Sequence, residues 1–402
     1  MYDKPYKYSW LYSHSGEALM KFFHLSDLHI GLKLLNRDLR EDQSYILAQI
    51  TDLAAREQPD AVIVAGDIFD KAVPSAEAVS LFDRFVDGLS AAVPQAELMF
   101  ISGNHDSAPR LDLFRGILGR QKVRMIGMPP VFPEDRIEKV HMTDEYGNVC
   151  FYLLPFVKPS MVKLITGTDA DGNTLSYEEA LKFLFEREQI STDIRNVLVS
   201  HQFFLPRGKK PEEVERMDSE IRMVGNVDAV SAEILSPFDY AALGHIHKPM
   251  TVGNERYRYC GTPLASSVSE AGQKKGIPVV ELREKGNVSI TVLPLEPLRA
   301  VKVVRGSLGE VLKQGCGDYV RVELTDQAEY DAADMFDRIH HAFPRLLEIR
   351  RKNVRQTESA RFGGQEAEMD AFSLCCAFLG ETDGTERELL MSVINRVQEE
   401  EG

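Results

Sequence analysis

Cysteine is scarce. The five thiols, Cys150, Cys260, Cys316, Cys375 and Cys376, include no C-x-x-C pair, which excludes the usual zinc knuckle and dithiol redox site. That scatter predicts buried, reduced thiols in a cytoplasmic compartment. No run reaches the roughly 18 apolar residues of a membrane-spanning helix, so no membrane partner is expected. The chain also lacks a G-x-x-x-x-G-K-[S/T] loop, and therefore an ATP-hydrolysing site of that type. Internal repeats and low-complexity tracts are missing. So is a surplus of positive charge, since 62 acids face 47 Lys and Arg for a net charge of −15. The acid is uneven, with 11 acids against 3 bases over 356–402 and 9 against 11 over 299–355, so a polyanionic partner is not excluded.

What is present is an ordinary globular composition, 44% hydrophobic and 27% charged, over 402 residues, enough for two or three domains. Residues 1–19 are aromatic and polar without an apolar h-region, and read as a non-native or disordered extension with Met20 as the natural start. A composition shift at Pro294-Leu295-Glu296-Pro297 marks the end of a main domain, 20–295. Residues 299–350 alternate strand-like and helical segments and predict a small α/β module. A polar linker, 351–366, leads to 367–402, where two amphipathic helices over 367–379 and 385–400 carry more apolar residues than a lone hairpin can bury. Docking on the parent chain or on a partner accounts for that surplus.

The main domain alternates short apolar runs with helical ones. Runs at 21–25, Ala61–Ala65, 98–101, 196–199 and Tyr240–Leu243 predict strands, and 31–37 a loop. Residues 40–56 predict a helix with Ile46, Leu47, Ile50 and Leu53 on one face, and Ser75 caps another whose Val79, Phe82, Phe85, Val86 and Leu89 form its inner face. Residues 177–187 read as helical, and 257–260, 277–282 and 288–292 as closing strands. The class is α/β, with ligands where the strands end.

Each of the five strand-like runs delivers polar residues: Asp27-Leu28-His29, Gly66-Asp67 with Asp70 behind, Gly103-Asn104-His105-Asp106, Ser200-His201, and Gly244-His245-Ile246-His247. In extended chain, residues i and i+2 point the same way, so Asp27 with His29, and His245 with His247, can reach one cluster. Two divalent ions need a bridging carboxylate and N/O ligands on either side. Asp67 suits the bridge, Asp27, His29 and His247 one ion, and Asn104, His201 and His245 the other. Without thiolates such a site suits Mn²⁺, Fe²⁺ or Zn²⁺. His105, between a ligand and an acid, is read as the group that protonates the leaving oxygen or stabilises phosphoryl charge, with Asp70 or Asp106 orienting its ring. A lone buried histidine is ordinarily a satisfied core residue, but five matched segments in order argue otherwise. Arg207, Lys209 and Lys210 read equally well as a solvated face or as substrate-phosphate contacts.

The set D-x-H, G-D, G-N-H-[D/E], H and G-H-x-H resembles the signature of the calcineurin-like metallophosphoesterase superfamily. The resemblance implies that superfamily's β-sandwich flanked by helices. Protein phosphatases of the superfamily carry Arg-Gly after the second Asp of G-D-x-x-D, where this chain has Lys71-Ala72. The stretches His24 to Gly31, Ala65 to Asp70, Ser102 to Ser107, Leu243 to Pro249 and Tyr259 to Leu264 are instead similar to the nuclease subunits of bacterial SbcCD-type complexes. That likeness implies a Mn²⁺-dependent DNA nuclease, 3′–5′ exonucleolytic on double-strand ends and endonucleolytic on single strands and hairpins, in DNA repair, replication and recombination at the nucleoid. It implies a DNA-capping role for 299–350, binding of an SbcC-like SMC-type ATPase by 367–402, and a homodimer within a heterotetramer. Two rival readings are a small-molecule phosphodiesterase on the same fold and a DNA-end-binding scaffold. The module at 299–350 and the tail weigh against the first, and His105 with the full ligand set against the second.

Overall fold

A computed structural model describes residues 19–113, 115–209, 229–326 and 332–351. By internal contacts the chain divides into residues 1–352 and 353–402, and the tail helices expected over 367–379 and 385–400 lie outside the described residues. No helix among the described residues is long and apolar enough to cross a membrane.

Two six-stranded sheets dominate. One runs in the order Val288–Leu295, Lys275–Leu282, Met20–Leu25, Ala61–Ala65, Glu97–Ile101, Val123–Ile126, its last four strands parallel. The other runs Met250–Val252, Asn254–Tyr259, Tyr240–Leu243, Arg195–Ser200, Gly147–Leu154, Glu138–Asp144, parallel through its middle four. Period-two alternation decides which residue goes where. Phe22, Ala61, Ile63, Met99 and Ile101 of the first sheet meet Phe151, Val197, Val199, Tyr240 and Ala242 of the second in one core between the sheets. Their neighbours Phe23, Val62, Val64, Leu98 and Phe100 point outward to the helices Arg40–Glu57 and Ala76–Ala92. On the far face, Leu198, Ala241 and Leu243 pack with the helix Tyr177–Arg187. Strands buried on both faces read as unbroken apolar runs, which is why the sequence shows them so plainly.

The expected α/β sandwich with flanking helices is therefore the observed one. Some details differ. In the helix capped by Ser75 the inner face is Ala78, Leu81, Phe82, Phe85 and Leu89 with Val86 partly buried against it, while Val79 is 47% exposed, since Ala78 and Leu81 complete the three-and-four spacing better. The expected loop at 31–37 contains a minimal hairpin, Lys33–Leu34 with Arg37–Asp38. Beyond Leu295, three parallel strands, Val301–Gly306, Tyr319–Leu324 and Leu346–Arg351, form a small sheet carrying the helix Ala332–Ala342. The small sheet rests on the main sandwich through an apolar cluster of Leu34, Leu39, Val268, Val301 and Tyr319. Arg299 adds ion pairs to Glu41 and Asp42.

Candidate metal centre

The parallel strands of both sheets end at one edge, and the polar motifs leave from there. Open α/β sheets place ligands at the carboxyl ends of their strands. The turns that follow are tight. Asp27, His29, Asp67 and His245 have φ of 52, 42, 50 and 102°, a left-handed region that costs a non-glycine residue free energy and concentrates at functional sites. Backbone bonds pin them: Asp27 N–H to Gly66 O at 2.9 Å and His29 N–H to Asp67 O at 3.0 Å. The three glycines are there for space. A Cβ at Gly66 would stand 2.2 Å from His201 Nδ1, one at Gly103 2.1 Å from Asp67 Oδ1, and one at Gly244 1.9 Å from the carbonyl oxygen of Ala65.

Seven of the sequence-derived ligands converge. His29 Nε2 and His247 Nε2 face each other at 3.1 Å, and Asp27 Oδ1 lies 3.8 Å from His247 Nε2. On the other side Asn104 Oδ1 lies 3.1 Å from His201 Nε2 and 2.9 Å from His245 Nδ1. Asp67 Oδ2 stands between, 3.2 Å from His201 Nε2 and 3.8 Å from His29 Nε2. Asp27, His29, Asp67, His201, His245 and His247 are all buried.

The three other named residues are placed differently from one another. His105 Nε2 comes within 3.9 Å of Asp67 Oδ2, and its Nδ1 meets the main-chain oxygen of Asp70 at 3.0 Å. The carboxylate of Asp70 instead points at His29, with Oδ1 3.9 Å from Nδ1. Asp106 does not face the His105 ring. It accepts the backbone N–H groups of Ile68, Phe69 and Gly103 at 3.0, 2.9 and 2.9 Å, tying two of the motif loops together. The expected carboxylate–imidazole contact is thus made by a carbonyl, because Asp106 is fully engaged with amides.

Residues 20–249 match the family model described as calcineurin-like phosphoesterase. The chain belongs to that family. Among curated proteins this phosphoesterase is similar to the SbcD component of the nuclease SbcCD from Staphylococcus epidermidis, 28% identical over 337 residues that cover 82% of this chain and 85% of that one. Solved structures similar to it include TT1561 of Thermus thermophilus, at 12% identity over 68% of this chain and 99% of that one, TM-score 0.39. A dimetal phosphatase from Danio rerio matches at 14% identity over 70% of this chain and all of its own, TM-score 0.37.

The phosphoesterase site has the chemistry of a cation site. Asp27 and Asp67 are buried carboxylates, and among the described residues their ion-pair partners are histidines alone, with no Lys or Arg. Buried charge of that kind requires compensation. Burial pushes the Asp67 carboxyl up, but the imidazoles of His201, His29 and His105 outweigh it and hold it below the ordinary range. Burial likewise disfavours charge on His201, yet Asp67 drives that ring up to about 9. Burial, then His247, lowers His29 well below its usual value. A divalent cation supplies the same positive charge without a proton. His29 and His247 turn ring nitrogens toward each other at 3.1 Å, so both would be available to one cation. The donor set fits a two-ion site, with Asp67 lying between its halves.

The supports of these residues lie outside the motifs. Gln43 donates to the carbonyl oxygen of His29 at 2.7 Å and accepts from Gly31 N–H at 3.0 Å. Ser26 donates to Asp27 and contacts Cys260 Sγ at 2.9 Å. Phe156 stacks on His245, ring centroids 6.4 Å apart at 16°. Ser266 and Glu270 stand behind His247. The Ser267-Val268-Ser269-Glu270 capping box was the one visible signal.

Proposed function

We propose that this phosphoesterase is the nuclease subunit of an SbcCD-type complex, cleaving DNA phosphodiesters at a site for two divalent ions. The observation that carries the reading is the convergence of Asp27, His29 and His247 on one side of Asp67, and of Asn104, His201 and His245 on the other, with His105 at the rim. Two divalent cations supply charge that polarises a phosphoryl oxygen and acidifies water. The chain's own residues supply the rest. Asp67 serves both half-sites. His105 is held by its backbone N–H to Asp67 Oδ1 at 2.8 Å and by Nδ1–H to the Asp70 carbonyl, so it is the doubly protonated ring, through Nε2–H, that delivers a proton to the leaving oxygen and is left as the neutral Nδ1–H form.

Mn²⁺ is the metal we assign, and 3′–5′ exonuclease action on double-strand ends with endonuclease action on single strands and hairpins the activity, in repair, recombination and replication within the cytoplasm. The substrate class and the SbcC-like ATPase partner rest on the likeness to the Staphylococcus protein. Residues 299–350 would cap the DNA, 351–366 link, and 367–402 engage the ATPase, in a heterotetramer built on a homodimer. Arg207 is 85% exposed and paired with Glu233 at 3.0 Å, which favours the solvated-face reading for that residue, while Lys210 lies outside the described residues.

The test is cleavage of a labelled DNA hairpin and of bis-p-nitrophenyl phosphate in Mn²⁺, with and without the ATPase partner. His105→Ala is expected to lower both rates about 10²- to 10⁴-fold while two ions stay bound. Diester hydrolysis without DNA cleavage, even with the partner added, points instead to a small substrate.

A further inference from the structure

His247 is backed by a buried charged network that no part of the phosphoesterase motif contains. Its Nδ1 lies 3.0 Å from Ser266 Oγ, and Ser266 Oγ lies 2.5 Å from Glu270 Oε1. A carboxylate only accepts, so the serine proton is committed to Glu270 and its lone pair is left to accept from His247 Nδ1–H. The bare nitrogen of His247 is then Nε2, the atom facing His29 and Asp27. Glu270 is 1% exposed and is itself fixed from all sides. Its Oε1 takes the backbone N–H groups of Ser266 and Ser267 at 3.1 Å each. Its Oε2 takes Thr262 Oγ1 at 2.8 Å and Lys275 Nζ at 2.5 Å. Lys275, 8% exposed, also donates to Thr262 Oγ1 at 2.8 Å.

The other ion's ligands are backed by different means. His201 Nδ1 rests on a main-chain oxygen, Ala65 O, at 2.7 Å, and His245 against the ring of Phe156. The buried Glu270–Lys275 pair lies beside a candidate ligand without touching the reacting edge. Ligand histidines are commonly oriented through the nitrogen that does not bind the ion.

We propose that Ser266 and Glu270, anchored by Lys275, are positioning residues that hold His247 in its Nδ1–H form and so govern one of the two ions, that of Asp27, His29 and His247, and not the other. The proposal rests on the two-ion reading above, and the experiment separates their failures.

Mn²⁺ is titrated into wild type, Ser266→Ala, Ser266→Thr and Glu270→Gln, with stoichiometry from calorimetry and coupling between the ions from electron paramagnetic resonance. The tautomer of His247 is read in the metal-free protein from long-range ¹H–¹⁵N correlations, assigned by their loss in His247→Asn. Wild type is expected to bind two coupled ions and to show Nδ1–H at His247. Ser266→Ala should lose that tautomer preference and weaken one ion about 10- to 100-fold, leaving an uncoupled Mn²⁺ signal from the other. Ser266→Thr keeps the hydroxyl and should restore both. Glu270→Gln should follow Ser266→Ala; if Lys275, left unpaired, prevents it from folding, Ser266→Ala still decides, because it keeps the Glu270–Lys275 pair. Two coupled ions of unchanged affinity in Ser266→Ala, with His247 still Nδ1–H, overturn the positioning role and leave the two-ion site standing. Equal weakening of both ions also overturns it, as a general loosening of the fold. A wild type that takes up no ion overturns the two-ion reading and this proposal with it.

Discussion

The two halves of the metal centre are built by different means. Around Asp27, His29 and His247 backbone bonds to Gly66 and Asp67 are joined by side-chain supports: Gln43 behind His29, Ser26 beside Asp27, and the Ser266–Glu270–Lys275 chain behind His247. Around Asn104, His201 and His245 the supports are mostly backbone and absent side chains. Ala65 O takes His201, Gly66 and Gly244 leave room for its ring, and Asp106 gathers three amides under the loop that presents Asn104. Side-chain supports can be removed one at a time and should give graded effects. A backbone support yields only if the strand ends move, and should fail all at once.

The sharpest way to break this contrast is Gly244→Ala. The new methyl would meet Ala65 O at 1.9 Å, His201 Nδ1 at 2.7 Å and Ser26 Cβ at 2.9 Å, and none of these is the free end of a flexible chain. Because Ala65 belongs to one sheet and Gly244 follows a strand of the other, relief requires the sheets to part at the site. The expected cost is about 3 kcal/mol, the upper end for overpacking, with both ions lost. Urea unfolding of the metal-free protein and metal analysis of the purified variant measure it. A variant that keeps two ions and wild-type stability would show that the edge is softer than the contacts imply.

How much of this was legible beforehand follows from the same contrast. The backbone-supported features announce themselves: apolar strands buried on both faces, a Gly at each crowded turn, and a ligand immediately after, as in Ala65-Gly66-Asp67 and Leu243-Gly244-His245. Local sequence determines them, so local sequence reveals them. Supports made by side chains from elsewhere do not show in this way. Gln43 is 14 residues from His29 and sits in a helix whose polar residues read as surface. Lys275 and Glu270 look like ordinary surface charges until the fold closes over them. The His105 contact was hidden for another reason, because G-D-x-x-D spacing fixes that Asp70 comes near but not whether its carboxylate or its carbonyl does. The strand Leu346–Arg351, LLEIRR, carries little signal of its own, since its alternation is broken and only pairing with Tyr319–Leu324 makes it a strand.

A graded response is the mark of the side-chain half, and Gln43→Ala samples it. The substitution takes its 2.7 Å donor from the carbonyl oxygen of His29, which keeps only Leu32 N–H at 3.0 Å, and leaves Gly31 N–H without its acceptor in a partly buried turn. An unsatisfied buried group costs about 1–3 kcal/mol. Since His29 already holds φ at 42°, the turn is expected to relax, weakening the His29 ion by about tenfold with the Asn104 ion unaffected. Metal titration of the variant beside Ser266→Ala checks it, and equal loss of both ions would erase the distinction between the halves.

Tyr319→Phe asks how far the side-chain half extends. The Tyr319 hydroxyl donates to Asp42 at 2.8 Å, and Asp42 precedes Gln43 in the first turn of the helix Arg40–Glu57. Val268, in the turn that carries Glu270, packs in the same cluster as Tyr319, so the small sheet touches the supports of both His29 and His247. Removing one hydroxyl is expected to lower unfolding stability by about 0.5–1.5 kcal/mol. Arg299 Nη1 still holds Asp42 at 2.9 Å, so the helix keeps its place and metal affinity should change by less than about twofold by that reasoning. A larger loss confined to the His29 and His247 ion would mean that Tyr319 is part of the path, and that the position of the small sheet is felt by one ion and not by its neighbour.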